Sequence, residues 1–497
     1  MLLLSVSCSS STIGPLRVVV DMMVGESCDV ELADGSTVRV KLLGIDKACD
    51  ELRGAIRSAA ARVEVDGQAV TLAVANYNLP VAVAGVQIDC PVTGDYYSNC
   101  SKDWWGLEKD ARLRLWPPGS PFIWPGTFVY PVRQRWFATD TQMGSEPCYV
   151  DGGEVPAVKE IGYHGPLDFG GAEGLDEVLT ATDGLVVAAG DSVLTGYKHA
   201  PVEPRYDAVY ILDNRGWFYR YWHLKSIEPA VRPGERVRMG RKIATLGKEG
   251  NSGGWAHLHF EIISRQPSGK WGNEEGYAYL WESYLSQYQP AVIAVARPHH
   301  LAAVGRTVTL DGRKSRSLNG RVVEYEWTFC DGGTASGPVQ ERIYERPGTY
   351  HEVLKVTDSQ GSLDYDFAEV QVIDKSKPDQ LPPTLHAACY PTLGIRPGAP
   401  VTFMVRTFNA RSGNETWDFG DGSGPVTVKS HESFGWQYER YKDLSSRALE
   451  LHPEGYARTV HTFSEPGHYI VTVERTGDFG YRAVERLHVE VQTQESR

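Results

Sequence analysis

The chain has 497 residues, with 63 acidic against 50 basic side chains and a formal net charge of −13. That length is too great for one hydrophobic core and predicts three or four domains. The acidic balance, with no basic cluster, argues against a nucleic-acid partner, and no apolar run is long enough to span a bilayer as a transmembrane segment.

Met1-Leu2-Leu3-Leu4 is followed at once by polar residues. It is too short for the apolar region of a signal peptide, and the context of Cys8 only weakly resembles a lipoprotein cleavage site. Residues 1–14 are read as a tail. None of the eight cysteines shows the paired spacing of a thiolate zinc site. Cys90 with Cys100, and Cys28 with Cys49, are spaced so that each pair could bridge in an oxidising compartment; a reduced one stays open.

Residues 15–155 contain no histidine, so a histidine-based metal site cannot lie there. Their pattern is β-rich. Asp29 to Leu32 and Thr37 to Leu43 flank the turn Ala33-Asp34-Gly35-Ser36 and predict a hairpin; Arg62 to Val65 and Ala69 to Val74 flank Asp66-Gly67 and predict another. Glu51 to Ala60 reads as a short helix. The segment from Trp104 through Trp116-Pro117-Pro118-Gly119 to Trp124 is dense in aromatics and prolines. It is either a substrate-facing or binding surface or a packed irregular connection, and the second is favoured because tryptophan is common at domain junctions.

The most informative stretch follows. His164-Gly165-Pro166-Leu167-Asp168 places a histidine and a carboxylate four apart. Gly165, Pro166 and the pair Gly170-Gly171 predict a tight loop entering a strand rather than a helix. Tyr219-Arg220-Tyr221-Trp222-His223-Leu224 alternates as a strand after the turn Asp213 to Gly216, which would put His223 on one face with Tyr221 and Tyr219. An aromatic-packed structural histidine is the bland reading there. In Gly254-Trp255-Ala256-His257-Leu258-His259-Phe260-Glu261-Ile262 the alternation of Leu258, Phe260 and Ile262 projects both imidazoles from one face. A histidine pair can share a zinc site, which accepts imidazole nitrogen and carboxylate oxygen and, in catalytic centres, takes three protein ligands.

These pieces, in this order, resemble the lysostaphin and LytM-like zinc metallopeptidases of family M23. The shared pattern is His-x-x-x-Asp, a Tyr-x-His-Leu segment, then a glycine-rich run and His-x-His ending in Phe-Glu. Ala181 to Gly190 and Val231 to Gly240 also look like segments of that family. The resemblance implies that His164, Asp168 and His259 bind Zn2+ and that His223 and His257 are the unligated catalytic histidines. Which of the two is the base and which stabilises the oxyanion stays open. Two departures concern loops: Gly253-Gly254-Trp255-Ala256 replaces a Ser-Thr-Gly-Pro-like run, and Tyr197 to Tyr206, carrying the surface residue His199, replaces a short turn. Both bear on substrate preference more than on ligation.

Gly276 to Gln289 predicts a helix ended by Pro290. Two similar units follow. The first carries Tyr325-Glu326-Trp327-Thr328-Phe329-Cys330-Asp331-Gly332-Gly333 and Arg346-Pro347-Gly348-Thr349-Tyr350. The second carries Trp417-Asp418-Phe419-Gly420-Asp421-Gly422 and Glu465-Pro466-Gly467-His468-Tyr469. This internal repeat of strand, turn and strand predicts β-sandwiches. The pair resembles PKD domains, which implies immunoglobulin-like spacers with glycan or protein contacts. Asp418 and Asp421 fit calcium binding or turn capping, with capping favoured. The linker Lys375 to Pro383 is semi-rigid by its prolines, and an insertion runs from Ser430 to Tyr456.

The expected architecture is therefore mainly β and multidomain. A β-rich N-terminal domain (15–155) precedes an antiparallel β-sheet metallopeptidase core (156–290) and two immunoglobulin-like β-sandwiches (291–375 and 383–492). The expected function is an exported, extracellular or periplasmic zinc endopeptidase acting on peptidoglycan stem peptides or cross-bridges, or on another peptide substrate. The alternative is an inactive cell-surface binding or scaffold protein. Substrate class rests on family resemblance alone.

Overall fold

The computed structural model describes residues 14–97, 103–147, 156, 161–411, 413–431 and 455–493. The start of the chain, Cys8, Cys100, Cys148 and most of the 430–456 insertion lie outside the described residues. The architecture is nearly all β, 48% strand and 3% helix. No helix among the described residues is long and apolar enough to cross a membrane.

The N-terminal unit faces two four-stranded sheets across one core. One is the meander Ser27–Glu31, Thr37–Cys49, Ile56–Val65 and Gln68–Ala73; the other orders Val18–Met22, Ala111–Trp116, Val86–Thr93 and Val81–Val83. Both predicted hairpins form. The predicted helix over Glu51 to Ala60 does not. Asp50 caps a turn by accepting the N–H groups of Leu52, Arg53 and Ala55, and Ile56–Val65 is a strand whose Ala59, Ala61, Val63 and Val65 enter the core. The alanine-rich composition suggests helix, but the period-two burial prevails.

Cys28 and Cys49 are both free thiols, as is buried Cys90. Cys28 pairs with Val40 near one end of the long Thr37–Cys49 strand, while Cys49 closes the other. At about 3.3 Å per residue the two are roughly 30 Å apart, far beyond disulfide reach.

The central unit is built on a nine-stranded sheet. Its path runs Ser192–Val193, Gly184–Ala189, Val209–Leu212, Phe218–Trp222, His257–Arg265, Leu167–Gly170 and Thr141–Gln142, with Arg236–Val237 and Trp271–Asn273 pairing beside it. One face buries Tyr219, Tyr221, Leu258, Phe260 and Ile262 against Phe128, Phe169 and the helix Tyr277–Tyr288. The helix ends where Gln289 turns left-handed before Pro290. The opposite face carries the candidate site. Arg114 ties this unit to the N-terminal one, with its guanidinium buried among Asp89, Glu274 and Glu275.

The two C-terminal units are sandwiches with Trp327 and Trp417, the matching residues of the repeat, fully buried in their cores. They are not separated by their linker. Gly348–Asp358 of the first pairs in parallel with Arg482–Val491 of the second, so one nine-stranded sheet runs through both. The turn aspartates act as caps: Asp418 accepts the N–H of Gly420, and Asp421 accepts that of Ser423 and meets the His461 ring.

Candidate metal centre

Antiparallel register places Asp168 opposite His259 and Gly170 opposite His257. The carboxylate and both imidazoles therefore project from one face while Leu258 and Phe260 point into the core. His164 reaches them from the preceding loop. Its N–H donates to the Glu146 carbonyl and its own carbonyl accepts the Ser145 N–H. Gly165 is required in that loop, because a Cβ there would lie 2.6 Å from Trp104 Cβ.

The Asp168 carboxylate is the centre of the cluster. Its Oδ2 lies 3.2 Å from His164 Nε2 and 3.3 Å from His257 Nε2, and its Oδ1 lies 2.9 Å from His259 Nδ1. Ligand atoms of His164, Asp168 and His259 fall within 4.8 Å of one another, as do those of His223, His257 and His259. Ligands about 2.0–2.1 Å from a tetrahedral zinc stand roughly 3.3 Å apart, close to the separations around Asp168. Asp168 Oδ1 has no hydrogen-bond partner among the described residues, although it is buried and faces an imidazole. An anionic oxygen left so among nitrogen donors fits a cation.

His223 arrives differently from the expectation. Alternation would carry it to the Tyr221 face, but the strand ends at Trp222 and His223 has φ +64°. That left-handed residue turns the ring onto the opposite face, with ring centroids 4.6 Å from His257 and 5.6 Å from His259. Its N–H donates to Asp207 Oδ2, and its Nδ1 lies 2.6 Å from the Glu249 carbonyl. Because a carbonyl only accepts, Nδ1 carries the proton and Nε2 is left toward the site. His257 is set in the same way, by Nδ1 at 3.1 Å from the Trp255 carbonyl.

All five side chains are buried, with residue exposures from 2% for His257 to 8% for His164. Burial works to raise the Asp168 carboxyl, but His164, His257 and His259 together hold it well below the usual range. Burial lowers His257 well below its ordinary value and His259 to about 3, so both rings are neutral near pH 7. For His164 burial is outweighed by Asp168, and the ring is raised. The metal-free cluster is thus one carboxylate with one imidazole favoured for protonation, and a metal ion would displace that proton.

Three tryptophans from segments singled out in the sequence surround the centre. Trp222 stacks on His259 with centroids 5.2 Å apart, and Trp104 stands 6.4 Å from the same ring. The aromatic N-terminal segment is mostly packed connection, with Trp105 and Trp116 buried, yet Trp104 borders the site. Trp255, one of the departures noted above, stacks on His257 at 3.9 Å and meets His386 of the second sandwich at 5.4 Å. That sandwich also fixes the loop ahead of His257: Ala256 N–H donates to Tyr456 Oη at 2.7 Å, and Arg406 donates to the Gly254 carbonyl.

A carboxylate and imidazoles gathered on an antiparallel sheet, with further imidazoles oriented beside them, form a group that could hold a metal ion. Residues 162–270 match the family model of Peptidase family M23, and residues 289–372 match that of the PKD domain. The chain therefore carries an M23 peptidase domain followed by a PKD domain. It is 29% identical over 111 residues to a microbial collagenase of Vibrio alginolyticus, a stretch covering 20% of this chain and 14% of the collagenase. Among solved structures it is similar to a putative glycyl-glycine endopeptidase LytM from Ruminococcus gnavus, at 21% identity over 33% of this chain and 62% of that one, with a TM-score of 0.22. It is also similar to the PKD1 domain of Vibrio anguillarum Epp, at 27% identity over 17% of this chain and 95% of that one, with a TM-score of 0.15.

Proposed function

We propose that this protein is a zinc-dependent endopeptidase that hydrolyses peptide bonds of peptidoglycan stems or cross-bridges outside the cytoplasm. The observation that carries the reading is the convergence of His164, Asp168 and His259 on one point, with His223 and His257 beside it, inside the segment that matches Peptidase family M23. His164, Asp168 and His259 would hold the ion. When bound, zinc supplies Lewis acidity and lowers the pKa of water toward neutrality.

The chain's own residues do the rest. The Glu249 and Trp255 carbonyls fix the tautomers of His223 and His257, so each ring presents Nε2 to the reacting carbonyl region. One, with Nε2 unprotonated, takes the proton from water and returns it to the leaving amine; the other steadies the developing oxyanion in its imidazolium form, with an N–H on Nε2 as well as on Nδ1. Trp104, Trp222 and Trp255 enclose the imidazoles and limit water, which strengthens each of these interactions. The depth of the five side chains favours a second reading, a binding or scaffold protein with a silent peptidase domain.

Metal analysis and digestion of purified cell wall by wild type, Asp168→Ala and His257→Ala separate the two. Asp168→Ala should lose zinc and activity. His257→Ala should keep zinc and lose about 10²–10⁴-fold in turnover, the range for general acid–base groups. Wild-type cleavage by His257→Ala overturns the role assignment, and zinc-loaded wild type that leaves wall and model peptides intact selects the scaffold reading.

A further inference from the structure

A second set of ligating side chains lies where the peptidase domain meets both sandwiches. Asp140 comes from the segment that leads into Thr141–Gln142 at the edge of the peptidase sheet. His299 immediately precedes the strand His300–Ala303, whose His300 pairs in parallel with Val370, and this brings His299 beside Glu369. Ligand atoms of Asp140, His299 and Glu369 all fall within 4.8 Å of one another, with His299 Nε2 at 3.6 Å from Asp140 Oδ1.

The floor of this site is a sheet. Glu369 stands directly opposite His351 on the neighbouring strand, and the Arg486 N–H donates to His351 Nδ1, which brings in the strand of Glu485. The roof holds His386, whose Nδ1 lies 2.7 Å from Tyr456 Oη. A Cβ built on Gly170, in the strand that bears Asp168, would lie 2.9 Å from His386 Nε2 and 2.4 Å from the Asp140 carbonyl.

Several polar atoms here have no hydrogen-bond partner among the described residues. The His299 side chain is only 10% exposed. Neither of its nitrogens has a hydrogen-bond partner among the described residues, nor do His351 Nε2, His386 Nε2 and Glu485 Oε2. Buried polar atoms are almost always paired, so such a concentration is a signal. Charge points the same way. Asp140, Glu369 and Glu485 are three carboxylates in one low-dielectric region, and the Arg297 guanidinium beside it is engaged by Asp366, Thr141 Oγ1 and the Phe137 and Thr139 carbonyls.

We propose that Asp140, His299 and Glu369 form a second divalent-metal site, distinct from the peptidase centre, that fastens the peptidase domain to both sandwiches. One imidazole and two carboxylates suit zinc or manganese. The Nε2 atoms of His351 and His386 and the Oε2 of Glu485 would complete or support the shell. Through the Gly170 N–H, which donates to the Asp140 carbonyl, the site abuts the strand carrying Asp168.

The test is metal stoichiometry on the full chain, stripped with chelator, reloaded with Zn2+ or Mn2+ and desalted. Wild type should retain two ions, Asp168→Ala one, and the double variant His299→Gln/Glu369→Gln one. Anomalous scattering should place the ion of Asp168→Ala between residues 140, 299 and 369. If the peptidase reading alone is wrong, wild type and Asp168→Ala each hold one ion and the double variant none. One ion in wild type and none in Asp168→Ala overturns the second site, and this arm holds even if the double variant fails to fold.

Discussion

Gly247→Ala tests whether the placing of the His223 and His257 imidazoles depends on backbone clearance rather than on their own side-chain contacts. Gly247 follows the strand Lys242–Leu246, and its carbonyl accepts the His257 N–H at 3.0 Å. A Cβ there would lie 2.4 Å from Lys225 N, 2.6 Å from the His223 carbonyl oxygen and 2.8 Å from Lys225 Cα, all main-chain atoms that cannot swing aside. Since real Cβ contacts essentially never fall below 3.0 Å, the segments carrying His223 and His257 must part by about 0.6 Å or more. Overpacking of this kind costs about 1–3 kcal/mol of stability, and a misplacement approaching 1 Å at reacting groups costs about 10²-fold in rate. None of the three atoms nearest that Cβ belongs to His164, Asp168 or His259, the proposed ligands, so the variant should keep any metal they hold. The assay is release of soluble peptide from purified wall, run beside metal analysis and thermal melting, with Gly424→Ala as control because a Cβ there meets nothing within 4 Å. Gly247→Ala with its metal, and with turnover within about threefold of wild type, would refute the clamp.

Two further outcomes follow from buried charge. Arg114→Met strands Asp89 and Glu275 inside the junction of the first two units and should cost about 3–5 kcal/mol, read as a fall in the urea midpoint; a change under about 1 kcal/mol would show that the junction does not rely on the ion pair. Burial raises the Asp176 carboxyl from 3.8 to about 7, so the folded state keeps a proton that the unfolded state releases. Stability from this group is present below about pH 4 and lost as pH rises to about 7, at most about 4 kcal/mol by linkage; Asp176→Asn should flatten that loss in denaturant titrations across pH, and an unchanged profile counts against it.

The clustering of Asp168, His257 and His259 was legible because strands impose a two-residue period, and because Asp168 and His259 fall opposite each other in a simple antiparallel register. His223 lies beside the other imidazoles but not on the face that alternation predicts, since alternation cannot foresee a non-glycine residue at φ +64°. The lost helix at Glu51 to Ala60 shows composition outvoting pattern: its alanines fit a pleat with one buried face. The cluster of Asp140, His299 and Glu369 was invisible for a more basic reason. Its members are separated by 159 and 70 positions, and no local period links them.

The same long-range packing changes what the second sandwich does. A spacer would leave the loop ahead of His257 to be shaped by the peptidase alone, yet that loop gives its Ala256 N–H to Tyr456 and its Gly254 carbonyl to Arg406. Unmade, those two bonds would expose or strand backbone groups in the segment that sets the His257 tautomer through the Trp255 carbonyl. Arg406 and Tyr456 lie about 150 and 200 residues beyond the groups they hold, so the loop can reach its final form only after the C-terminal unit has docked. On this geometry the peptidase domain and the second sandwich make one functional body, and the Gly-Gly-Trp-Ala departure in the sequence is the mark of that junction.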